Sequence, residues 1–531
     1  MFPEKVEQNH ELLYKLSPPD NYRRGVTGIS YKAILMPFVF IISCFTVLVG
    51  LWQLMRRDVY VTHAVIQTDR LVHKTDQNFL SVALDTSHIQ DGWVHKNIKS
   101  EVLLKMTVAL APAYLRVGGT MADRLIFQPE CSYSPVKDKS NLVNTSYFNM
   151  TACDWIALNR FAHAAGLQLL FDLNVLLRNG TEWDSSNARL LLDFSDKLNF
   201  DISWQLGNEP NSFNHVFGTP LSGHQLGQDF VELRRLLNSY PRYNTSLLVG
   251  PDVTRPLIHQ IGEQPIPYLK SFLARATGAI SAITWHQYYL NGRKAKLKDF
   301  VSPDVLNILA CQISALCSAT TGVHLPLWLS ETGSAYGGGA PGLSDRFVAG
   351  FLWLDKLGMA AHLGVDVVVR QSLCGGNYGL LGPEMEPLPD WWVSVLYKKL
   401  VGLGVLNVVR DDIIEVSCLG EQGHVRLYCH CANQRGAVTL FGVNVMNRES
   451  HVMVMGLPPS DSVLAYVLTA DTILSSRYIL LNGRKLSLKP DGSLPPFKPK
   501  FLNISKPLVM PAFSMVFWVI EDVHVPVCED T

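Results

Sequence analysis

Eight short, almost uninterrupted apolar runs, each followed by a stretch with helical periodicity, constrain this chain more than any other feature. They begin at Phe79 ("FLSVALD"), Tyr114 ("YLRVGG"), Leu167 ("LQLLFDLN"), Ile202 ("ISWQL"), Ser246 ("SLLVGPD"), Ala282 ("AITWHQYY"), Leu325 ("LPLWLSE") and Val365 ("VDVVVRQ"). A strand that is apolar on both faces must be covered on both faces, which antiparallel hairpins rarely achieve and βαβ units achieve routinely. The intervening segments include "GQDFVELRRLLNSY" after the fourth run and "SDRFVAGFLWLDKLGMAAHLG" after the seventh. Eight such units over roughly 300 residues predict a (β/α)8 barrel, an α/β fold, spanning 77–402. An open doubly wound sheet would place a glycine-rich phosphate loop after its first strand, and none is there.

From about Val405 the rhythm changes. "HVRLYCHCAN", "GAVTLFGVNV", "SHVMVMGL", "VLAYVLTA" and "FSMVFWVIED" read as strands joined by turns, predicting an antiparallel β-sandwich over 403–531. The segment 56–76 is expected to form a stem and, through "VYVTHAVIQ", to lend the sandwich one strand.

Residues 1–32 are polar with a Pro-Pro break and read as a cytoplasmic tail. Ala33–Met55 contains no charged residue and is bracketed by Arg23, Arg24 and Lys32 on one side and Arg56 and Arg57 on the other. At about 1.5 Å per residue it is long enough to cross a roughly 30 Å hydrocarbon layer, so a transmembrane signal anchor is expected. Asn144, Asn149, Asn179, Asn244 and Asn503 each head an N-x-S/T triplet, and all follow that run. Five candidate glycosylation sites put the large domain on the lumenal or extracellular side, as in a single-pass type II protein of the lysosome, the cell surface or, once cleaved, the extracellular space.

Lys and Arg together number 46, as do Asp and Glu, for a net charge of zero. Nucleic-acid binding normally leaves a basic footprint, so nucleic acid is not an expected partner. A polyanionic substrate would have to be held by a local patch. "CHC" at Cys429–Cys431 has no second cluster to complete the about four ligands of a zinc site, so no metal is expected.

In a barrel of this kind the reacting groups sit at the C-terminal ends of strands. Glu209, in "WQLGNEPNSF", follows the fourth run, and Glu331, in "SETGSAYGGG", ends the seventh. Two carboxylates converging on one mouth suit glycoside hydrolysis: one protonates the departing oxygen while the other attacks or activates water. Either one alone would as readily be a capping or solvated residue.

These motifs, together with "GPDV", "TWHQYYLNGR", the full run "SETGSAYGGGAPGLSDRFVAGFLWLDKLG", "GNYG" and "PLPDWWVSVLYKKLVG", resemble the heparanase family of glycoside hydrolases from about Phe79 to the end. The resemblance implies a (β/α)8 barrel with a β-sandwich and a retaining endo-β-glucuronidase acting on heparan sulfate, with no cofactor. It implies that Glu209 is the proton donor and base, that Glu331 is the nucleophile, and that Asn208 grips the sugar 2-hydroxyl. Tyr378, in "GNYG", matches a tyrosine beside the nucleophile, and Asp85 and Thr120 match positions lining the sugar cleft. Tyr336 with Gly337, Gly338 and Gly339 would let backbone amides approach a uronate, since glycine removes the Cβ obstacle. His286 and Arg293 are expected sulfate or carboxylate contacts. The family pattern pairs Cys431 with Cys528 as a disulfide, and Cys131 and Cys153 are a candidate local bridge.

The chain departs from the family in three places. Members that cleave heparan sulfate carry basic pairs soon after "NEPNSF" and "GPDV", where this chain has His215-Val216 and Leu257-Ile258. Sulfate recognition relies on Arg and Lys as charge-assisted donors. A hydrolase of less sulfated glucuronides is therefore one alternative, and a catalytically silent heparan-sulfate-binding protein is another, against which the intact Glu331 counts. Family precursors also hold a long excisable segment between the second and third strands. The short span here predicts an enzyme that works as a single chain. The uncleaved-looking N-terminal anchor is the third departure.

Overall fold

The computed structural model describes residues 60–132, 147–256, 264–411, 423–460 and 462–529. The expected tail, the expected anchor Ala33–Met55, the Asn144 triplet and Leu257-Ile258 lie outside them. Among the described residues no helix is long and apolar enough to cross a membrane.

The eight runs form one parallel sheet. In chain order its strands are Leu80–Asp85, Ala113–Gly118, Leu167–Leu173, Ile202–Leu206, Val249–Val253, Ala282–Asn291, Leu327–Tyr336 and Val367–Arg370, and each lies beside its sequence neighbours. The eighth pairs the first through Val368 and Leu80. The seam between fourth and fifth is closed by the Trp204–Leu248 bridge, so the sheet is a nearly closed barrel.

Strand periodicity divides the barrel interior into layers, because every second side chain points inward. The lower layer is an apolar plug that includes Ala83, Tyr114, Leu170, Val249, Ala282 and Trp328, with the Tyr114 and Trp328 rings 4.8 Å apart. Two residues further along the second and third strands the plug gives way to charge: Tyr114 is followed by Arg116 and Leu170 by Asp172, both with no solvent exposure. The outward faces carry Leu115, Leu169, Phe171 and Leu329 into the core shared with the helices.

The second sheet is antiparallel apart from one pair. Its path runs Arg484–Lys485, Ile479–Leu481, Val463–Ala470, Ser514–Ile520, Val438–Asn444, Val425–Ala432, Val401–Arg410, Tyr60–Gln67, Ser450–Met455 and Leu508–Met510. Residues from both ends of this path, such as Val452 and Leu508 with Val463 and Trp518, share one core, so the ribbon folds into two layers. Tyr60–Gln67 crosses from the start of the described chain to lie antiparallel to Val401–Arg410 and parallel to Ser450–Met455. A disulfide joins Cys431 to Cys528 within this domain, and another joins Cys131 to Cys153 beside the barrel. Asn179, Asn244 and Asn503 are exposed, whereas Asn149 is half-buried with its amide hydrogen-bonded to Gln128 at 2.8 Å.

Candidate active site

A cavity of about 620 Å³ opens at the C-terminal end of the barrel, lined by Glu209 and Glu331 among others. Local backbone irregularities aim both carboxylates into it. Trp285 pairs with Leu329 but His286 pairs with Glu331, so Ser330 is an extra residue and the seventh strand bulges there. The bulge reverses the inward-outward alternation, and both Ser330 and Glu331 turn to the barrel interior. Ser330 Oγ donates to Asp252 Oδ1 at 2.6 Å. Glu209 sits just past the fourth strand at φ 51°, a left-handed conformation that costs a non-glycine residue on the order of 1 kcal/mol or more. Its amide donates to Asp252 O at 3.1 Å, and Pro210 starts the short turn that follows.

The two acids are held differently. Glu331 has only 12% of its side chain exposed; it accepts from Arg116 Nη1 on Oε2 and from the Tyr288 hydroxyl on Oε1, both at 2.8 Å. Glu209 keeps 32% of its side chain exposed and lies 3.0 Å from His286 Nδ1. A tightly held carboxylate suits attack from a fixed direction, and a looser one at the mouth suits exchange of protons with water.

Beneath them lies a charged layer of which sequence patterns singled out only His286. Arg116 donates from Nε to Gln205 Oε1 at 2.8 Å, and from Nη2 to Asn208 Oδ1 at 2.9 Å and Asp252 Oδ2 at 2.8 Å. Burial alone would weaken its charge, but Asp252, Glu331 and Asp172 hold the guanidinium well above its ordinary pKa. Burial opposes the charge of His286 too. The carboxylates of Glu331, Asp252 and Glu209 overcome that and push its pKa up to about 10, so the ring is an imidazolium at neutral pH. Its Nε2 is 3.3 Å from Asp252 Oδ2, an ion pair without hydrogen-bond alignment. Asp252, although buried, is held below the usual carboxylate range by Arg116 and His286. Asp172 goes the other way: burial and the nearby Asp123 push it well up, and neither of its oxygens has a hydrogen bond.

Most of the expected site residues gather here. Asp85, Thr120, Tyr336, Gly337, Gly338 and Tyr378 all line the cavity. Gly337 and Gly338 have φ of 75° and 84° with open space above them, whereas Gly339 packs against the Tyr378 backbone. Asn208 is buried, its Oδ1 accepting from Arg116 and its backbone N–H donating to Asp123 Oδ2 at 2.9 Å. Three placements differ from expectation. The phenol on Glu331 is that of Tyr288, and Tyr378 stacks on the Tyr288 ring at 6.3 Å between centroids. His286 does line the cavity, but at 1% exposure its Nδ1 faces Glu209 and its Nε2 faces Asp252. Arg293 is exposed beyond the strand end and away from the cavity wall. Arg255 lines the mouth instead, lying over the Tyr336 ring at 4.5 Å and donating to Tyr288 O at 3.0 Å.

Residues 62–358 match the family described as Glycosyl hydrolase family 79, N-terminal domain. The chain is 38% identical to the heparanase of Gallus gallus over 85% of its own length and 93% of the relative's. It is 32% identical to the inactive heparanase-2 of Homo sapiens, covering 87% and 89%, and 31% identical to the hyaluronoglucuronidase of Hirudo nipponia, covering 87% and 98%. Among solved structures, a 4-O-α-L-rhamnosyl-β-D-glucuronidase from Fusarium oxysporum superposes with a TM-score of 0.63 at 15% identity, covering 86% of this chain and 99% of that one. That likeness is one of fold.

Proposed function

Since the chain belongs to the heparanase branch of glycosyl hydrolase family 79 and is a glycoside hydrolase, we propose that it cleaves internal glucuronide bonds of heparan sulfate with retention of configuration. The observation that carries this reading is that Glu209 and Glu331, from the ends of the fourth and seventh strands, line one cavity and are held by different partners. In the first step Glu209 gives a proton to the leaving sugar oxygen while Glu331 attacks the anomeric carbon, forming a glycosyl-enzyme. In the second, Glu209 takes a proton from water, which displaces Glu331. Retention requires the two carboxyl groups about 5–5.5 Å apart.

The surrounding groups take supporting parts. Arg116 and Tyr288 occupy one oxygen each of Glu331 and fix its direction of attack. The Asn208 side-chain N–H groups, left over once Arg116 has taken Oδ1, meet the sugar 2-hydroxyl. Tyr336, Gly337 and Gly338 form the wall for the uronate, with Arg255 as its cation, while Asp85 and Thr120 face sugar hydroxyls.

A less sulfated glucuronide is the second reading, favoured by His215 and Val216 on the cavity wall where cations would serve sulfate, and by the likeness to a hyaluronoglucuronidase. Turnover of a defined sulfated tetrasaccharide beside its unsulfated counterpart decides between them. Glu331→Gln should abolish turnover and keep binding; full activity in that variant removes the nucleophile assignment.

We place the enzyme behind a membrane anchor at Ala33–Met55, with the catalytic domain lumenal or extracellular and glycans on the exposed Asn179, Asn244 and Asn503. The uncharged run and the triplets support this, and N-terminal determination on mature protein tests it. We also propose that it works unprocessed. Active enzyme that runs on a reducing gel only as a small and a large fragment refutes that.

A further inference from the structure

The catalytic cavity has few cations for a long anionic chain: of its basic lining residues, Arg255 over the Tyr336 ring serves the uronate, His286 is buried, and His215 is an imidazole. A second concavity, on the sandwich, has the opposite character. It measures about 470 Å³, and its charged lining residues are Arg484, Lys485, Lys498 and Lys500, with no acidic side chain among them. All four are exposed.

The fold assembles this cluster from two separate pieces of chain. Strand Val463–Ala470 pairs by one edge with Ile479–Leu481 and, further along the same edge, with Lys500–Leu502. The Arg484–Lys485 arm folds back on Ile479–Leu481. Asn482 then ties the pieces together, donating from Nδ2 to Ala465 O and Lys498 O, both at 3.0 Å. Lys498 and Lys500 alternate with Pro499, and Pro495 and Pro496 precede them. Proline fixes its own φ and keeps the preceding residue extended, so these lysines are presented on a stiff segment.

Aromatic rings flank the cations. Phe501 is 78% exposed and Tyr478 52%, with Lys485 Nζ 3.1 Å from the Tyr478 ring centroid. Cations that meet no counter-charge among the described residues, set on rigid backbone beside exposed ring faces, fit a polymer bearing both anionic groups and apolar sugar faces. The edge also connects to the catalytic end. The preceding segment docks there, Leu474 O and Ser476 O accepting from the amides of Val348 and Phe347, and Arg477 pairing with Glu386 at 2.5 Å.

We propose that this basic edge of the sandwich is an auxiliary binding site for an anionic polysaccharide, which holds long substrate chains while a distant part of the same chain occupies the cavity. It rests on the glucuronidase reading above for the class of polymer and supplies the local patch that a chain of zero net charge needs. The test is Arg484→Ser/Lys485→Ser/Lys498→Ser/Lys500→Ser in the full glycosylated chain, with equilibrium binding to heparin and to a sulfated tetrasaccharide, and turnover of each. The expected result is roughly tenfold weaker heparin binding, the sum of four modest exposed charge contacts, and a KM on the long chain raised by a similar factor. Tetrasaccharide binding and turnover should be unchanged, which also reports that the variant is folded. If that turnover drops, the two double variants are measured, and each should show about half the logarithmic loss. Unchanged heparin affinity overturns the proposal, as does an equal loss for the tetrasaccharide. So does loss of binding to phosphatidylserine vesicles with heparin binding retained, which would make the edge a membrane contact. A wild type that binds heparin through this edge yet turns over no tetrasaccharide separates failure of the catalytic reading from failure of this one.

Discussion

Arg116 Nη1 donates to Glu331 Oε2 at 2.8 Å from a guanidinium with no solvent exposure. The same group satisfies Asp252, Asn208 and Gln205, so one side chain from the second strand sets the geometry of the fourth, fifth and seventh. A lysine there would be a point charge with three donors and no fork. Arg116→Lys is expected to lower kcat at least about a hundredfold with KM changed only a few-fold, because it misdirects Glu331 and not the substrate. Arg116→Met should in addition cost about 3–5 kcal/mol of stability by stranding buried carboxylates. Steady-state kinetics and urea unfolding measure the two; a Lys variant with wild-type kcat would mean the guanidinium does not position Glu331.

The phenol contact on Glu331 belongs to Tyr288, so the two tyrosines of the cavity should separate cleanly. Tyr288→Phe removes a hydrogen bond to a carboxylate, an interaction of about 1.5–3 kcal/mol, and kcat should fall by roughly one to two orders of magnitude. Tyr378→Phe keeps the ring that stacks on Tyr288 and should change kcat less than about threefold. A larger loss in Tyr378→Phe than in Tyr288→Phe would put the orienting phenol on Tyr378 after all.

His286 gives a pH signature. Its folded pKa of about 10 stands above the ordinary value of 6.5, because Glu331, Asp252 and Glu209 favour the imidazolium more than burial disfavours it. A raised basic group contributes its full stabilisation below the unfolded pKa and loses it as pH climbs through the folded one. The stability gap between wild type and His286→Gln should therefore be largest at pH 6 and shrink steadily towards pH 10. Urea midpoints at pH 6, 8 and 10 measure it, and a gap that widens with pH would show that the ring is neutral in the folded enzyme.

Much of this site is written in local patterns, and the part that is not depends on contacts between distant strands. Glu209 and Glu331 are legible because each ends an apolar strand. Arg116 carries a signal of its own, a single charge inside "YLRVGG", but its meaning depends on four acceptors 89 to 215 residues away. Tyr288 is two residues after His286, so strand alternation puts both on one face, and that spacing outweighs the family likeness that favours Tyr378. The bulge at Ser330 leaves no trace in composition, yet without it Glu331 would point outward. Arg293 fails because it lies past the strand, where alternation no longer directs side chains. The barrel itself depends only on periodicity and was readable throughout; the basic edge of the sandwich joins lysines and an arginine from two segments, and no single stretch displays it.

Tyr60–Gln67 limits how the catalytic domain can be separated from the N-terminal apolar run. This strand lies in the middle of the second sheet, pairing Ala64 with Arg410 on one side and Tyr60 with Ser450 on the other. Ala64 and Ile66 are buried in the sandwich core, and Thr62 is fully buried as well. Removing the strand would leave two rows of backbone groups unpaired inside a sheet, and each buried unsatisfied group costs about 1–3 kcal/mol. Any cleavage that releases active enzyme should then fall before Tyr60. A secreted form beginning at Arg57 is expected to be soluble and active, whereas one beginning at Asp69 should aggregate or unfold at room temperature. Expression of both with the same leader, followed by size-exclusion chromatography and thermal unfolding, measures this; a well-folded, active Asp69 form would show that the first strand is dispensable.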